Sequence, residues 1–203
     1  MLAKATGQSF VANMEQVFLT PLSFKHTLLT EAAYNNYPNL AAPHKNAKGS
    51  NVYTPITKNF YYYNILPAGG MAADILDMLK CLQLFMGGYP KHFDEALRKQ
   101  CFKPHTQAYS VSKRRCKQPA CPICKRIGEV YYGLGWKIEN YANNLIYYHG
   151  GDVHGFRTVM AFSPEREVGI VALCNGSSKL PFKLTEHFFE ELFDLPHLVC
   201  SKH

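Results

Sequence analysis

A chain of 203 residues, 47% hydrophobic and 18% charged, has the size and composition of a globular domain that buries about 70% of its unfolded surface. Its formal net charge of +7 points toward nucleic acid, but nine basic and no acidic residues fall between Ala96 and Gly128, leaving 13 basic against 15 acidic residues elsewhere. The basicity belongs to one segment with the character of a solvated loop, which argues against nucleic acid as a partner of the whole domain, and no apolar run reaches the roughly 18 residues of a membrane span.

The first residues, Met1-Leu2-Ala3-Lys4-Ala5-Thr6-Gly7, lack a basic start followed by an apolar core, so no signal peptide is expected. That favours the cytoplasm, or a piece of a longer protein whose export signal lies outside these residues. Ser9 can cap a helix through Phe18, with Phe10, Met14, Val17 and Phe18 at helical spacing, and Pro21 ends it. From Ala33 to Asn59 no period is sustained and Asn, Pro, Lys and Gly are plentiful, which predicts a long loop. Phe60–Gly70 leads into the clearest helix, in which Ile75, Leu76, Leu79, Leu82 and Phe85 form one apolar face and Gly87-Gly88 stops the chain. A second amphipathic stretch covers about His92 to Cys101, followed by an aperiodic, cysteine-rich basic insert at about residues 99–129.

After Glu129 the pattern changes. Tyr131–Tyr141, Asn144–Gly150, Phe156–Ser163 and Glu167–Asn175 are β-branched and aromatic runs separated by turn signals, which predicts four strands in an antiparallel meander. A last helix is expected over Pro181–Phe193, with Leu184, Phe188, Phe189 and Leu192 toward the sheet. The fold class is α+β, a single domain with an antiparallel sheet flanked by helices.

Seven cysteines cannot close a complete disulfide framework within one chain. Cys81 and Cys174 sit in apolar segments and behave as small hydrophobes. Cys116-x4-Cys121-x2-Cys124, with Cys101 and His105 upstream, has the spacing of a metal knuckle: Cys-Pro-Ile-Cys turns tightly enough for two thiolates to share one ion. A structural Zn2+ on Cys101, Cys116, Cys121 and Cys124 is one expectation. Free thiols and a Cys121–Cys124 redox pair are the alternatives.

Three stretches together resemble one family. They are Thr6–Phe10 running to Pro21-Leu22-Ser23-Phe24-Lys25-His26-Thr27; Pro67-Ala68-Gly69-Gly70-Met71 with Asp74 and Leu79; and Tyr132-Gly133-Leu134-Gly135-Trp136, His149-Gly150-Gly151-Asp152-Val153-His154-Gly155-Phe156, Pro164 and Val168–Asn175. In that order they are similar to the serine β-lactamase and penicillin-binding protein family, which includes class C β-lactamases, D-alanyl-D-alanine carboxypeptidases and esterases. The likeness covers nearly all of the chain except residues 99–129 and corresponds to the C-terminal portion of the family's domain.

The resemblance implies a β-lactamase/transpeptidase-like fold and acyl transfer through a serine acyl-enzyme, with no cofactor required. It implies a serine in a Ser-x-x-Lys motif, activated by the lysine and a Tyr-x-Asn element, and substrate laid along a strand carrying Lys-Thr-Gly or His-Gly-Gly. Carried over by position, His149 is the polar side chain of that strand, Gly150 and Gly151 the substrate edge, and the Asp152 N–H an oxyanion donor. Tyr62, Asn64, Gly69 and Gly70 are carried over as the border of the substrate pocket.

In the family both nucleophile motifs precede the segment matched by Thr6–Phe10. Ser110-Val111-Ser112-Lys113 and Tyr62-Tyr63-Asn64 fit the two patterns formally, but in reversed order, and Ser110 lies in the aperiodic insert. The expectation is a chain inactive alone toward a small acyl substrate, needing a complementing N-terminal segment or chain, or a homo-oligomer, and exposing apolar surface meanwhile. The alternative is a non-catalytic binding or interaction module on the same scaffold. Family members are often periplasmic, and they cleave β-lactams, D-amino-acid peptides or simple esters on one framework, so the substrate is left open.

Overall fold

The computed structural model describes residues 2–47, 50–108 and 126–197. Helix α1 (Leu2–Thr6) leads to α2 (Phe10–Met14), whose start is fixed by Ser9: its Oγ accepts from the Ala12 N–H at 3.1 Å. The helix continues as a wider π-helical turn, Glu15–Leu19. Thr30 caps α3 (Glu31–Asn35) in the same way, accepting from the Ala33 N–H at 3.1 Å. The long loop expected over Ala33–Asn59 instead contains a hairpin of β1 (His44–Asn46) and β2 (Tyr53–Pro55), with Lys45 opposite Thr54. These strands are three residues long and mostly exposed, too short for alternation to show in sequence.

A 3-10 turn (Phe60–Ile65) and α4 (Leu66–Gly69) connect to α5 (Ile75–Met86), which stops at Gly87 with φ +99°. Helix α6 (Glu95–Cys101) begins where the Asp94 carboxylate accepts from the Leu97 N–H at 2.8 Å. The main sheet follows in the order β3 (Thr106–Gln107), β4 (Ile127–Tyr132), β5 (Lys137–Tyr141), β6 (Asn144–Val153), β7 (Phe156–Ser163) and β8 (Val168–Cys174). Sequence neighbours are sheet neighbours, as a meander requires. Helix α7 (Leu180–Leu192) is the last helix of the described residues.

Two strand expectations change. Tyr131–Tyr141 is a hairpin, with Gly133–Trp136 turning between β4 and β5. Thr106–Gln107, inside the segment expected to be aperiodic, pairs with Tyr132 and Tyr131 as an edge strand. Only two residues pair there, so no period could announce them.

The chain divides into two compact units, residues 1–81, 151–158 and 173–179, and residues 82–150, 159–172 and 180–203. In the first, Leu19, Leu22, Leu29 and Tyr34 are buried with the carboxylate of Asp77, which is 1% exposed. Asp77 accepts from the backbone N–H groups of Lys25 (3.0 Å) and His26 (2.8 Å) and from the Thr27 hydroxyl (2.9 Å), with Lys80 at 3.4 Å. It locks the Ser23–Thr27 turn onto α5. The apolar face expected for α5 is accordingly rotated. Asp77, Cys81 and Leu84, at i, i+4 and i+7, lie on the buried side with Leu82, while Ile75, Leu76 and Leu79 are 41%, 62% and 39% exposed. An aspartate in the buried stripe is what concealed it.

In the second unit Tyr141, Ile146, Tyr148, Val159 and Ala161 of the sheet pack with Phe189 and Phe193 in one cluster, joined by Phe182, Phe188 and Leu192. Leu184, expected to face the sheet, is 46% exposed, and Thr185 and Pro181 take the buried positions beside Phe189. A separate aromatic cluster centres on Trp136, with Phe85 at 4.8 Å and Phe102 and Phe162 each at 5.5 Å.

Candidate functional site

Strand β6 carries Ile146 and Tyr148 into the α7 cluster, so alternation places Tyr147 and His149 on the other face. Tyr147 stacks there on Phe102 at 4.2 Å between ring centroids. The last residue pair between β5 and β6 is Lys137↔Tyr148, yet β6 continues through Val153. The main chain of His149–Val153 therefore runs on past the end of its β5 partner, at the point where the sequence placed the substrate edge.

The His149 side chain is exposed, with Nδ1 2.5 Å from the carbonyl oxygen of Gly135. A carbonyl only accepts, so Nδ1 carries a proton and Nε2 is the ring nitrogen not engaged by that contact. The turn supplying that carbonyl depends on its two glycines. A Cβ on Gly133 would lie 2.1 Å from the Cys101 carbonyl oxygen, which also accepts from the Leu134 N–H at 2.9 Å. Gly135 has φ +83°, in the left-handed region. Tyr132–Trp136 thus serves to aim a carbonyl at His149 while anchoring Trp136 in the core.

Gly151 faces Thr158 so closely that a Cβ would meet its Oγ1 at 2.5 Å. The Asp152 carboxylate accepts from Arg157 at 2.7 Å, which leaves the Asp152 backbone N–H as the group of interest. At the hairpin tip, Gly155 has φ +86° and a Cβ there would stand 2.6 Å from Pro43 Cβ. Its carbonyl accepts from the His44 N–H at 3.2 Å. His44 Nδ1 donates toward the carbonyls of Ala42 (2.8 Å) and Asn175 (3.1 Å), and Asn175 Nδ2 donates to Ala42 O at 3.1 Å. Gly155 and Asn175, recognised as motif residues, are thereby tied to His44, which the sequence reading passed over in its unpatterned loop.

Tyr62, Gly69 and Gly70 come together. The Tyr62 ring lies over Gly69, where a Cβ would be 2.9 Å from its Cδ1, and a Cβ on Gly70 would be 2.8 Å from Leu66 Cα. Asn64 is exposed in the 3-10 turn. Sequence reasoning missed Lys58: its ammonium lies 2.8 Å from the Tyr34 ring centroid, 5.7 Å from that of Phe60, and donates to Tyr63 Oη at 3.3 Å. Burial pushes the Lys58 ammonium down to about 8 against a smaller upward pull from Glu31. Burial, then Tyr34 and Glu31, push Tyr63 up to about 12. Only Tyr34, Phe60 and Tyr63, at no regular spacing, could have signalled this cage.

Cys101 ends α6, and burial raises its thiol, opposing the thiolate that zinc requires. Cys116, Cys121, Cys124, Ser110 and Lys113 lie outside the described residues. Among the described residues no helix is long and apolar enough to cross a membrane.

The chain matches the family described as Beta-lactamase over residues 1–191. Among solved structures it is similar to the octameric penicillin-binding protein homologue from Pyrococcus abyssi, with a TM-score of 0.75 and 18% identity over 95% of this chain and 40% of that one. It is also similar to a class C beta-lactamase from Rhodobacter sphaeroides (TM-score 0.61, 15% identity, 96% of this chain and 57% of that one). A mutant of a class C beta-lactamase gives a TM-score of 0.61 at 19% identity, over 95% of this chain and 54% of that one. No curated protein matches in sequence. The 203 residues span about half the length of these structures, and identities this low establish the fold alone.

Proposed function

This chain belongs to the beta-lactamase family, and from that membership we propose that it supplies the substrate-binding strand of a serine acyl-transfer site. The observation that carries the reading is the overrun of β6: His149–Val153 continue beyond the last β5 pair, Lys137↔Tyr148. A strand edge without a continuing neighbour pairs with an extended acyl substrate through main-chain hydrogen bonds. In this reading His149 offers Nε2 as an acceptor to a substrate N–H or hydroxyl, its ring held by the Gly135 carbonyl. Gly150 and Gly151 keep the edge low, and the Asp152 N–H stabilises the oxyanion as the carbonyl becomes tetrahedral.

The nucleophile comes from a Ser-x-x-Lys segment and its activation from a Tyr-x-Asn segment, in cis or in trans. The exposed Ile75, Leu76 and Leu79 of α5 support this, since three adjacent apolar side chains in water are a surface suited to being covered. Substrates are β-lactams, D-alanyl peptides or simple esters. The test is hydrolysis of nitrocefin, a D-alanyl-D-alanine peptide and p-nitrophenyl acetate. The 203-residue chain alone is expected at background, and the chain supplied with a serine-bearing segment is expected to turn over at least one of the three. In the active form His149→Ala should lower kcat/KM by about 10- to 100-fold, the worth of one well-placed polar contact in the transition state. Turnover by the chain alone, abolished by Ser110→Ala, would overturn the assignment.

A further inference from the structure

Helix α7 ends in an arrangement that the acyl-transfer reading does not use. His187 and Glu190 stand at i and i+3 on one face of the helix, and His197 returns to them after it ends. Their ligand atoms all lie within 4.8 Å of one another. Glu190 is 3% exposed, an unusual place for a carboxylate, and its two oxygens are sharply divided in role. Oε1 accepts from Arg126 Nη1 at 2.8 Å and from the Tyr141 hydroxyl at 3.2 Å. Oε2 faces His197 Nδ1 at 2.7 Å and His187 Nδ1 at 3.4 Å. Arg126 also donates to the Pro196 carbonyl at 2.5 Å, which positions the segment carrying His197.

We infer that His187, Glu190 and His197 form a binding site for one divalent transition-metal ion of the zinc class, with a fourth position open to water. Two imidazoles and a carboxylate are the donor set that Zn2+ accepts with an open position. A tetrahedral ion with bonds of about 2.1 Å holds its ligand atoms about 3.4 Å apart. The His187–Glu190 separation already has that value. The His197–Glu190 contact is a hydrogen bond and has to widen by about 0.7 Å, measured against the same ligand spacing. His197 lies in irregular chain beyond α7 with its side chain 50% exposed, so its ring has room to retreat.

The proton on His197 Nδ1 leaves as the ion arrives, or moves to Nε2, because a metal takes the unprotonated nitrogen. Arg126 and Tyr141 orient the carboxylate from behind and leave Oε2 directed at the ion. The positive charge of Arg126 opposes the ion, so the site should bind more weakly than one without a cation behind its carboxylate. Both histidines are about half exposed, so the open position faces solvent. A bound ion ties the segment after α7 back onto the helix.

The test is calorimetric titration of Zn2+ into untagged protein in which Cys101, Cys116, Cys121, Cys124 and Cys200 are replaced by serine, which removes the competing thiols. One equivalent should bind, with a rise in thermal midpoint. His187→Ala and His197→Ala should each weaken binding at least tenfold and abolish the rise, while both metal-free variants still unfold cooperatively, His197→Ala at a lower temperature for want of its contact with Glu190. Absence of saturable binding, or binding that either histidine variant leaves unchanged, would overturn the site. Catalysis is not measured in either arm, so failure here leaves the acyl-transfer reading where it stood.

Discussion

Two charged side chains of the first unit carry consequences that a titration can reach. Desolvation alone would raise the Asp77 carboxyl, but the N–H groups of His26 and Lys25, the Thr27 hydroxyl and Lys80 outweigh it and hold it below the usual carboxylate range. A lowered folded value means that the stabilisation is present above the unfolded carboxyl's pKa and disappears as pH falls through the folded one. Asp77→Asn should cost about 2–4 kcal/mol, since several donors around a buried anion lose their charged acceptor. Urea denaturation checks this, and the deficit should shrink as the parent is taken toward acid. Lys58 has the same sign in a higher window: with its ammonium at about 8, the unfolded chain binds more protons from there up to the ordinary lysine range, so stability rises with pH across that window too. Carbon NMR of dimethylated protein should show one lysine titrating near 8, and Tyr34→Ala, by opening the cage, should move it toward the others.

Among the elements, hairpins β4–β5 and β6–β7 set the geometry of the proposed strand edge, and glycines set the hairpins. Gly155→Ala puts a Cβ 2.6 Å from Pro43 Cβ at a φ of +86°, so it should destabilise by about 1–3 kcal/mol, measured by denaturation. Gly133→Ala should do the same by driving the turn off the Cys101 carbonyl, and it should also release His149 from its tautomer, visible in the imidazole nitrogen shifts. Much of this was legible in the sequence. Phe156–Ser163 is a strand with the bounds that its β-branched and aromatic run between turn signals gives, and α5 stops at its glycines. The β1–β2 hairpin was not, because three mostly exposed residues per strand hold no period. The buried side of α5 was also hidden, because Asp77 sits where a hydrophobic side chain was sought. The site was half legible: residue types placed His149 on a strand, but no spacing predicts that β6 outruns β5 or that a turn carbonyl fixes the imidazole.

For the whole molecule, fold and family agree, and the 203 residues span about half of the solved structures they resemble. The central claim is that the overrun of β6 is where an acyl substrate lies. Amide-resolved NMR of the chain during titration with an N-acylated D-alanyl-D-alanine peptide tests this without requiring turnover. The account predicts saturable shifts concentrated at His149–Val153, diminished at least tenfold in affinity by Gly151→Val, with the α7 cluster unmoved. Saturable shifts elsewhere that leave His149–Val153 unchanged, or none at millimolar peptide, would contradict it.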